Sequence, residues 1–115
     1  MADDFRSMIN VDRIIHEPAR LIIVAILYAV ESADFLYLLR ETGLTKGNLS
    51  SHLARLEDVG YVDIEKTFHG KMPRTICRLT DDGRIAFDGY RQRLKRAIDT
   101  MPEEGRAEES GTLGG

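Results

Sequence analysis

The sequence has little of what stabilises secreted or membrane proteins: one cysteine, Cys77, no tryptophan and three prolines in 115 residues. One cysteine cannot form an internal disulfide, which excludes the disulfide-rich secreted scaffolds. No charged n-region, apolar h-region and cleavage site open the chain, so we expect a cytoplasmic location. The longest apolar run, residues 21–30, is about half of the roughly 20 residues that cross a membrane. It therefore predicts a buried or interface helix and no membrane role.

The arrangements typical of catalytic and metal sites are also missing. No Ser-His-Asp, Cys-His, paired-carboxylate or phosphate-loop pattern is present, so we expect no enzyme. His16, His52, His69 and Cys77 have no Cys-x-x-Cys or His-x-x-x-His spacing, so we expect neither a metal nor another cofactor. Cys77 is interpreted as a small buried hydrophobe, with a redox role beside Arg78 as the alternative.

The net charge of −3 and pI near 5.6 argue against nucleic acid as a partner, because such proteins commonly have a basic face. The distribution of charge removes most of this objection. Residues 102–115 hold one arginine and four glutamates, so residues 1–101 carry 15 basic and 15 acidic groups. Residues 66–78 hold four basic groups and no acid, and residues 84–96 hold five against Asp88. We interpret the second segment as the solvated face of a helix.

Capping residues predict three helices in the first half of the chain. Pro18 suits a first helical turn, so one helix is expected over about residues 18–30. Asp34 is a good N-cap for a second helix, which Gly43 can end in the left-handed conformation. Thr45 caps a third helix, and the short Gly-containing turn before it is typical of a helix-turn-helix.

The second half of the chain predicts a hairpin and a long helix. After Gly60, residues 61–68 alternate with period two, residues 69–73 have turn chemistry, and residues 75–79 return as a second strand. Thr80 caps a last helix that an apolar stripe carries to about residue 100. The predicted organisation is an N-terminal segment over 1–15, a domain over 16–101 and a disordered acidic tail over 102–115.

The third helix is amphipathic. Apolar side chains recur at helical spacing on one face, at Leu49, Leu53, Leu56 and Val59. The opposite face begins with small residues and carries Arg55, whose donors suit phosphates and base edges. His52 lies about 60° from the centre of the apolar stripe and is interpreted as structural.

These motifs resemble those of the winged-helix transcriptional regulators, in the compact MarR-like and ArsR-like branch. The resemblance covers about residues 16–94. It is carried by Gly-Leu-Thr-x-Gly-Asn-Leu-Ser-x-His-Leu from Gly43, Gly-Tyr-Val from Gly60, Pro-Arg-Thr from Pro73 and Leu-Thr-x-x-Gly-Arg over residues 79–84. It implies a mainly α fold with a small β-hairpin: a three-helix core, a two-stranded wing and a long C-terminal helix. It also implies a homodimer on double-stranded DNA, with the third helices in successive major grooves and the wings on flanking backbone or minor groove.

We expect two groups of side chains on the outer surface to contact DNA. The candidates on the third helix, which spans about residues 46–59, are Lys46, Asn48, Ser50, Ser51 and Arg55. Those on the wing, residues 66–74, are Lys66, His69, Lys71 and Arg74. The alternatives are an ion pair of Arg55 with Asp58, capping and solvation for the other helical residues, and ordinary solubility for the wing. Lys71 and Arg74 are favoured for DNA because their segment has no compensating acid.

The apolar stripe of the last helix outlasts a small core, which predicts a partner for its far half, most simply a second subunit. The interface candidates are Leu21, Ile22, Tyr28, Tyr90, Leu94, Ile98 and Met101. Together these features predict a sequence-specific DNA-binding regulator that represses by occlusion. The alternative is a protein-interaction module that does not bind DNA, because winged helices serve both purposes. Neither the operator nor a small-molecule effector follows from the sequence.

Overall fold

A computed structural model of the chain describes residues 11–105. Its elements are α1 (Pro18–Val30), β1 (Ser32–Asp34), α2 (Phe35–Thr42), α3 (Lys46–Asp58), β2 (Val62–His69), β3 (Met72–Leu79) and α4 (Asp81–Thr100). The described residues form two compact units, one over Asp12–Tyr90 and one made of Val11 with residues 91–105. The predicted mainly helical winged-helix fold is confirmed.

The helix ends follow the predicted capping residues. The Asp34 carboxylate accepts the Tyr37 N–H at 2.7 Å and starts α2, and Gly43 ends it at φ +69°. The Thr45 hydroxyl accepts the Asn48 N–H at 3.2 Å and starts α3. Each cap satisfies a backbone group that has no partner within its own helix. The turn between α2 and α3 is therefore set by local chemistry.

The core of the larger unit lies between the helices and one face of the sheet. Leu49 and Leu56 of α3 are fully buried and Leu53 is 3% exposed, as their helical spacing predicts. Val59 is 36% exposed, because it is the residue after the last turn and leaves the apolar face. The remaining fully buried large side chains of this unit are Ile15, Ile23, Val24, Leu27, Leu38, Val62 and Cys77.

The sheet has three strands in the order β1-β3-β2, one more than the sequence predicted. The hairpin of β2 and β3 is confirmed, with Val62 opposite Leu79 and His69 opposite Met72. Residues 32–34, predicted only to interrupt two helices, form β1 and pair antiparallel with β3. A three-residue strand has too short a pattern to be recognised locally, and it forms because β3 offers a free edge.

Tyr61, the residue before β2, contacts both the start of the larger unit and the start of α4. The Asp12 carboxylate accepts the Tyr61 hydroxyl at 2.5 Å, and Ile15 is fully buried, so the predicted boundary after residue 15 falls inside this unit. Gly83 lies against Tyr61, where a β-carbon would overlap the carbonyl oxygen and lie 2.8 Å from Leu79 Cδ1. A side chain at residue 83 would therefore separate α4 from the wing.

The smaller unit contains Val11 and the last turns of α4. Val11 and Ala97 are buried in it, whereas Ile98 and Met101 are 56% and 40% exposed. The expectations for residues 1–10 and for the tail over 106–115 lie outside the described residues. In residues 11–105, no helix is both long and apolar enough to cross a membrane.

Candidate nucleic-acid interface

All five DNA-contact candidates on helix α3 are exposed to solvent. They are Lys46, Asn48, Ser50, Ser51 and Arg55. Lys46 lies close to the packing side by helical periodicity, and it is exposed because it is the first residue of the helix, beyond the packed turns. The surface around Gly47 is open, since a β-carbon there would meet no atom within 4 Å. One turn of α3 can thus approach another molecule closely.

The opposite side of α3 is held by a polar cluster at the start of α1. His52 Nδ1 lies 3.2 Å from Arg20 Nη1 and 3.6 Å from a Glu17 carboxylate oxygen. Glu17 also accepts the Arg20 N–H at 2.9 Å as the N-cap of α1. The interpretation of His52 as a structural residue agrees with these contacts, which fix the inner side of the helix.

Arg55 is available for an external ligand. The alternative was an ion pair with Asp58, but no ion pair of Arg55 occurs in the described part of the chain. A free guanidinium on an exposed helix face can donate two parallel hydrogen bonds to a phosphate or to a guanine edge.

An open groove of about 510 Å³ separates α3 from the sheet. Its lining is Phe35, Ser50, Leu53, Ala54, Glu57, Ile64, Lys66 and Thr75. It brings two of the predicted residues together, Ser50 from the helix and Lys66 from β2. Arg55 is five residues after Ser50, about 140° further around the helix, and so lies on the side away from the groove. Ser50 therefore lies at the edge of the exposed α3 surface next to the groove, and Arg55 lies at the edge away from it.

The pairing register divides the predicted wing residues between two faces of the hairpin. Directly paired residues share a face, and the faces alternate along each strand. Lys66 pairs with Thr75 on the face that lines the groove. His69 and Arg74 lie on the other face, and Lys71 lies in the turn between the strands. The structure therefore does not bring all four wing residues together, although all are exposed.

Arg74 is paired with an acid from outside its segment, although the segment itself contains none. Its guanidinium donates to the second carboxylate oxygen of Asp34 at 3.2 Å, across the sheet from β3 to β1. The Tyr37 N–H and then the Arg74 guanidinium lower the pKa of the Asp34 carboxyl. Sequence reasoning found the cap but missed this second role, because the acid lies 40 residues before Arg74. Asp34 thus links the start of α2 to the wing.

Two other side chains of β3, Arg78 and Cys77, interact within the protein. Arg78 donates to Glu65 of β2 at 3.2 Å, so its charge is compensated on the wing. Cys77 is fully buried, and burial raises the pKa of its thiol to about 11. Such a thiol is protonated at neutral pH and is neither a metal ligand nor a nucleophile in that form. Among residues 11–105, no three metal-ligating side chains come together.

The predicted interface residues differ in how much surface they offer. In the larger unit Ile22 is 46% exposed and Leu21 is half-buried. Tyr28 donates to Asp88 at 2.8 Å and is also half-buried. Tyr90 is 3% exposed and its hydroxyl lies 2.8 Å from His16 Nδ1, so its assignment to an interface is wrong and it belongs to the core of the protomer.

The smaller unit holds the other three interface candidates. Leu94 is half-buried, and Ile98 and Met101 are exposed. An unpaired apolar strip at the end of a helix is typical of a surface that a second molecule covers.

Comparison with known proteins agrees with this architecture. A family model described as the winged helix DNA-binding domain matches residues 19–98. An uncharacterized protein of Methanocaldococcus jannaschii is 38% identical over 78 residues, which are 68% of this chain and 85% of the relative. The transcriptional regulator homologue protein from Pyrococcus horikoshii superimposes with a TM-score of 0.77 at 31% identity, over 84% of this chain and 95% of the other.

The fold extends to more distant regulators. A MarR family transcriptional regulator of Streptomyces coelicolor, solved in complex with DNA, has a TM-score of 0.53 at 20% identity, over 89% of this chain and 70% of the other. At 20% identity this likeness shows a shared fold only. The family model, by contrast, matches residues 19–98, which are most of the chain. The chain therefore belongs to the winged helix DNA-binding domain family.

Proposed function

We propose that this protein is a sequence-specific transcriptional regulator that binds double-stranded DNA as a homodimer. Helix α3 enters the major groove, and the wing over residues 66–74 contacts the flanking backbone or minor groove. Bound dimers repress by occluding the DNA from the transcription machinery.

One observation carries the proposal: all nine predicted contact side chains are exposed, while the leucines of α3 are buried. A helix that packs by one face and leaves small and cationic residues on the other can fit a groove about 12 Å wide. The DNA-bound Streptomyces coelicolor regulator, which shares the fold, supports the same partner.

Charge also supports DNA as the ligand. The cations that form no ion pair within residues 11–105 include Lys46, Arg55, Lys66 and Lys71. They lie on α3 and the wing, whereas Arg78 is neutralised by Glu65. Although the chain is acidic overall, these four unpaired positive charges lie where the phosphates would lie.

Selection of bound fragments from randomised duplex DNA tests the proposal. We expect a two-fold symmetric site with half-sites about 34–36 Å apart, the repeat of one helical turn. Binding measured by gel shift should weaken steeply as salt is raised. A protein that leaves all duplexes free at low salt would contradict the proposal and favour a protein-interaction module.

The role of Arg55 is tested by two substitutions on the selected site. Arg55→Ala should weaken specific binding by about 1–3 kcal/mol and relax base preference at one position. Arg55→Lys keeps the charge but removes the planar fork, so it should restore non-specific binding while the base preference stays relaxed. If both variants keep the full preference of the wild type, Arg55 does not read a base.

Dimerisation is tested at the end of α4. We expect Ile98→Asp to convert the dimer to a monomer in sedimentation experiments, because it places a charge in an apolar interface. Ile85→Asp is the matched control, since Ile85 is 70% exposed in the first turns of the same helix. A wild-type monomer, or equal effects of the two variants, would contradict this interface.

Repression is tested by transcription in vitro with the selected site placed over a promoter. We expect added protein to reduce the transcript, and the same site moved well upstream to have no effect. Equal or higher transcript from the overlapping site would contradict repression by occlusion.

A further inference from the structure

We propose that Phe68 is an apolar wedge with which the wing contacts the minor groove of bound DNA and loosens the stacking of a base step. This inference rests on the proposed function. The Phe68 side chain is 69% exposed, although aromatic side chains usually bury more area than most. A ring this exposed in an isolated protomer indicates a surface that another molecule covers.

The position of Phe68 follows from the strand register. Val62, Ile64 and Lys66 lie on one face of β2, and Phe68 is the next residue on that face. Ile64 and Lys66 line the groove beside α3. Phe68 is about 7 Å further along the strand, at two residues of about 3.4 Å each. It therefore lies beyond the open end of the groove, on the side of the wing that faces the recognition surface.

The neighbours of Phe68 make this end of the wing apolar and cationic. Pro73 pairs directly with Phe68 and is exposed on the same face. Lys66 lies before the ring and Lys71 lies at the turn, and neither forms an ion pair in the described part of the chain. Among the residues that line the groove, the acid is Glu57 of α3. An apolar residue set between free cations complements the minor groove, which has phosphates at its edges and sugars on its walls.

The other face of the hairpin tip differs. Met72 pairs with His69 there and is 70% exposed. On that same face Arg74 is held by Asp34. Met72 is therefore an apolar residue of nearly equal exposure, at the same tip, on the face turned from α3. It is the matched control for Phe68.

The wedge has a consequence for sequence preference. Side chains inserted between base steps partly unstack them, and pyrimidine–purine steps unstack most easily. We therefore expect the selected site to contain such a step outside the bases that α3 contacts, at the same distance in both half-sites.

The experiment compares Phe68→Ala, Phe68→Leu and Met72→Ala on the selected duplex, with 2-aminopurine beside the flanking step. Phe68→Ala should weaken binding at least about tenfold, the lower end for exposing a phenylalanine ring, without changing the dependence on salt. Wild type should raise the 2-aminopurine fluorescence, Phe68→Ala should not, and Phe68→Leu should retain much of the signal. Met72→Ala should behave as wild type. Melting curves confirm that the exposed substitutions leave the fold intact.

Several outcomes overturn the inference. Phe68→Ala with unchanged affinity and fluorescence, or equal losses for Met72→Ala, would show that the ring is not a wedge, while DNA binding by the wild type would still support the proposed function. A lower salt dependence for Phe68→Ala would assign the loss to displaced cations and also overturn it. If the wild type fails to bind any duplex, the proposed function and this inference both fail.

Discussion

Removing one unpaired cation from the wing should change how DNA binding depends on salt, whereas removing a paired one should not. Lys71 forms no ion pair among residues 11–105, and Arg78 on the same hairpin donates to Glu65 at 3.2 Å. Both are exposed, and each substitution by alanine removes one positive charge. The two variants therefore separate a local phosphate contact from a change in net charge.

The magnitude follows from the number of unpaired cations. The unpaired cations on α3 and the wing of one protomer are four: Lys46, Arg55, Lys66 and Lys71. The proposed dimer has about eight of them, which gives a slope of log K against log salt of about −7 if each contacts a phosphate. Lys71→Ala removes two of these contacts and should reduce the slope to about −5. Between 50 and 200 mM salt, affinity should then fall about 20,000-fold for the wild type and about 2,000-fold for Lys71→Ala.

Fluorescence anisotropy over a salt series measures these slopes. Arg78→Ala should keep the slope of the wild type, because its guanidinium is already neutralised. Equal slopes for all three proteins would refute a phosphate contact by Lys71, and a reduced slope for Arg78→Ala would refute the argument from pairing.

Three further predictions concern stability and reactivity. Gly83→Ala should destabilise the protein by about 1–3 kcal/mol in denaturant unfolding, because a β-carbon at residue 83 overlaps the Tyr61 carbonyl. Gly89→Ala on the same helix meets open space and should stabilise the protein by up to about 1 kcal/mol. Equal effects of the two substitutions would contradict the close approach of Gly83 to Tyr61. Cys77 should resist iodoacetamide at pH 8 in the native protein and react after unfolding, because the thiol is buried and its pKa is raised to about 11. Rapid labelling of the native protein would contradict the burial of this thiol. The Tyr37 N–H and then the Arg74 guanidinium lower the pKa of Asp34 in the folded state, so its carboxylate stabilises the fold above pH 3.8 and this contribution is lost as the pH falls further. Asp34→Asn keeps a capping side chain without the titrating carboxylate, so its melting temperature should fall less on acidification. An identical pH profile for the two proteins would contradict the lowered pKa.

The local sequence was sufficient for the helices and the hairpin. Asp34, Gly43 and Thr45 act on backbone groups within a few residues, so their effects do not depend on the rest of the fold. The spacing of the leucines in α3 likewise decides which face is buried, and hence which residues remain outside.

Contacts between distant residues decided the rest. The third strand exists because β3 offers an edge to residues 32–34, and Arg74 is neutralised by an acid 40 positions earlier. Tyr90 fits an interface stripe by periodicity, yet His16 and the core enclose it in the protomer. Periodicity and capping act within one element, but a side chain's partners depend on which elements the fold places side by side. For this reason the amphipathic helix could be read from the sequence alone, whereas the division of the wing into an α3-facing side and an ion-paired side required the three-dimensional structure.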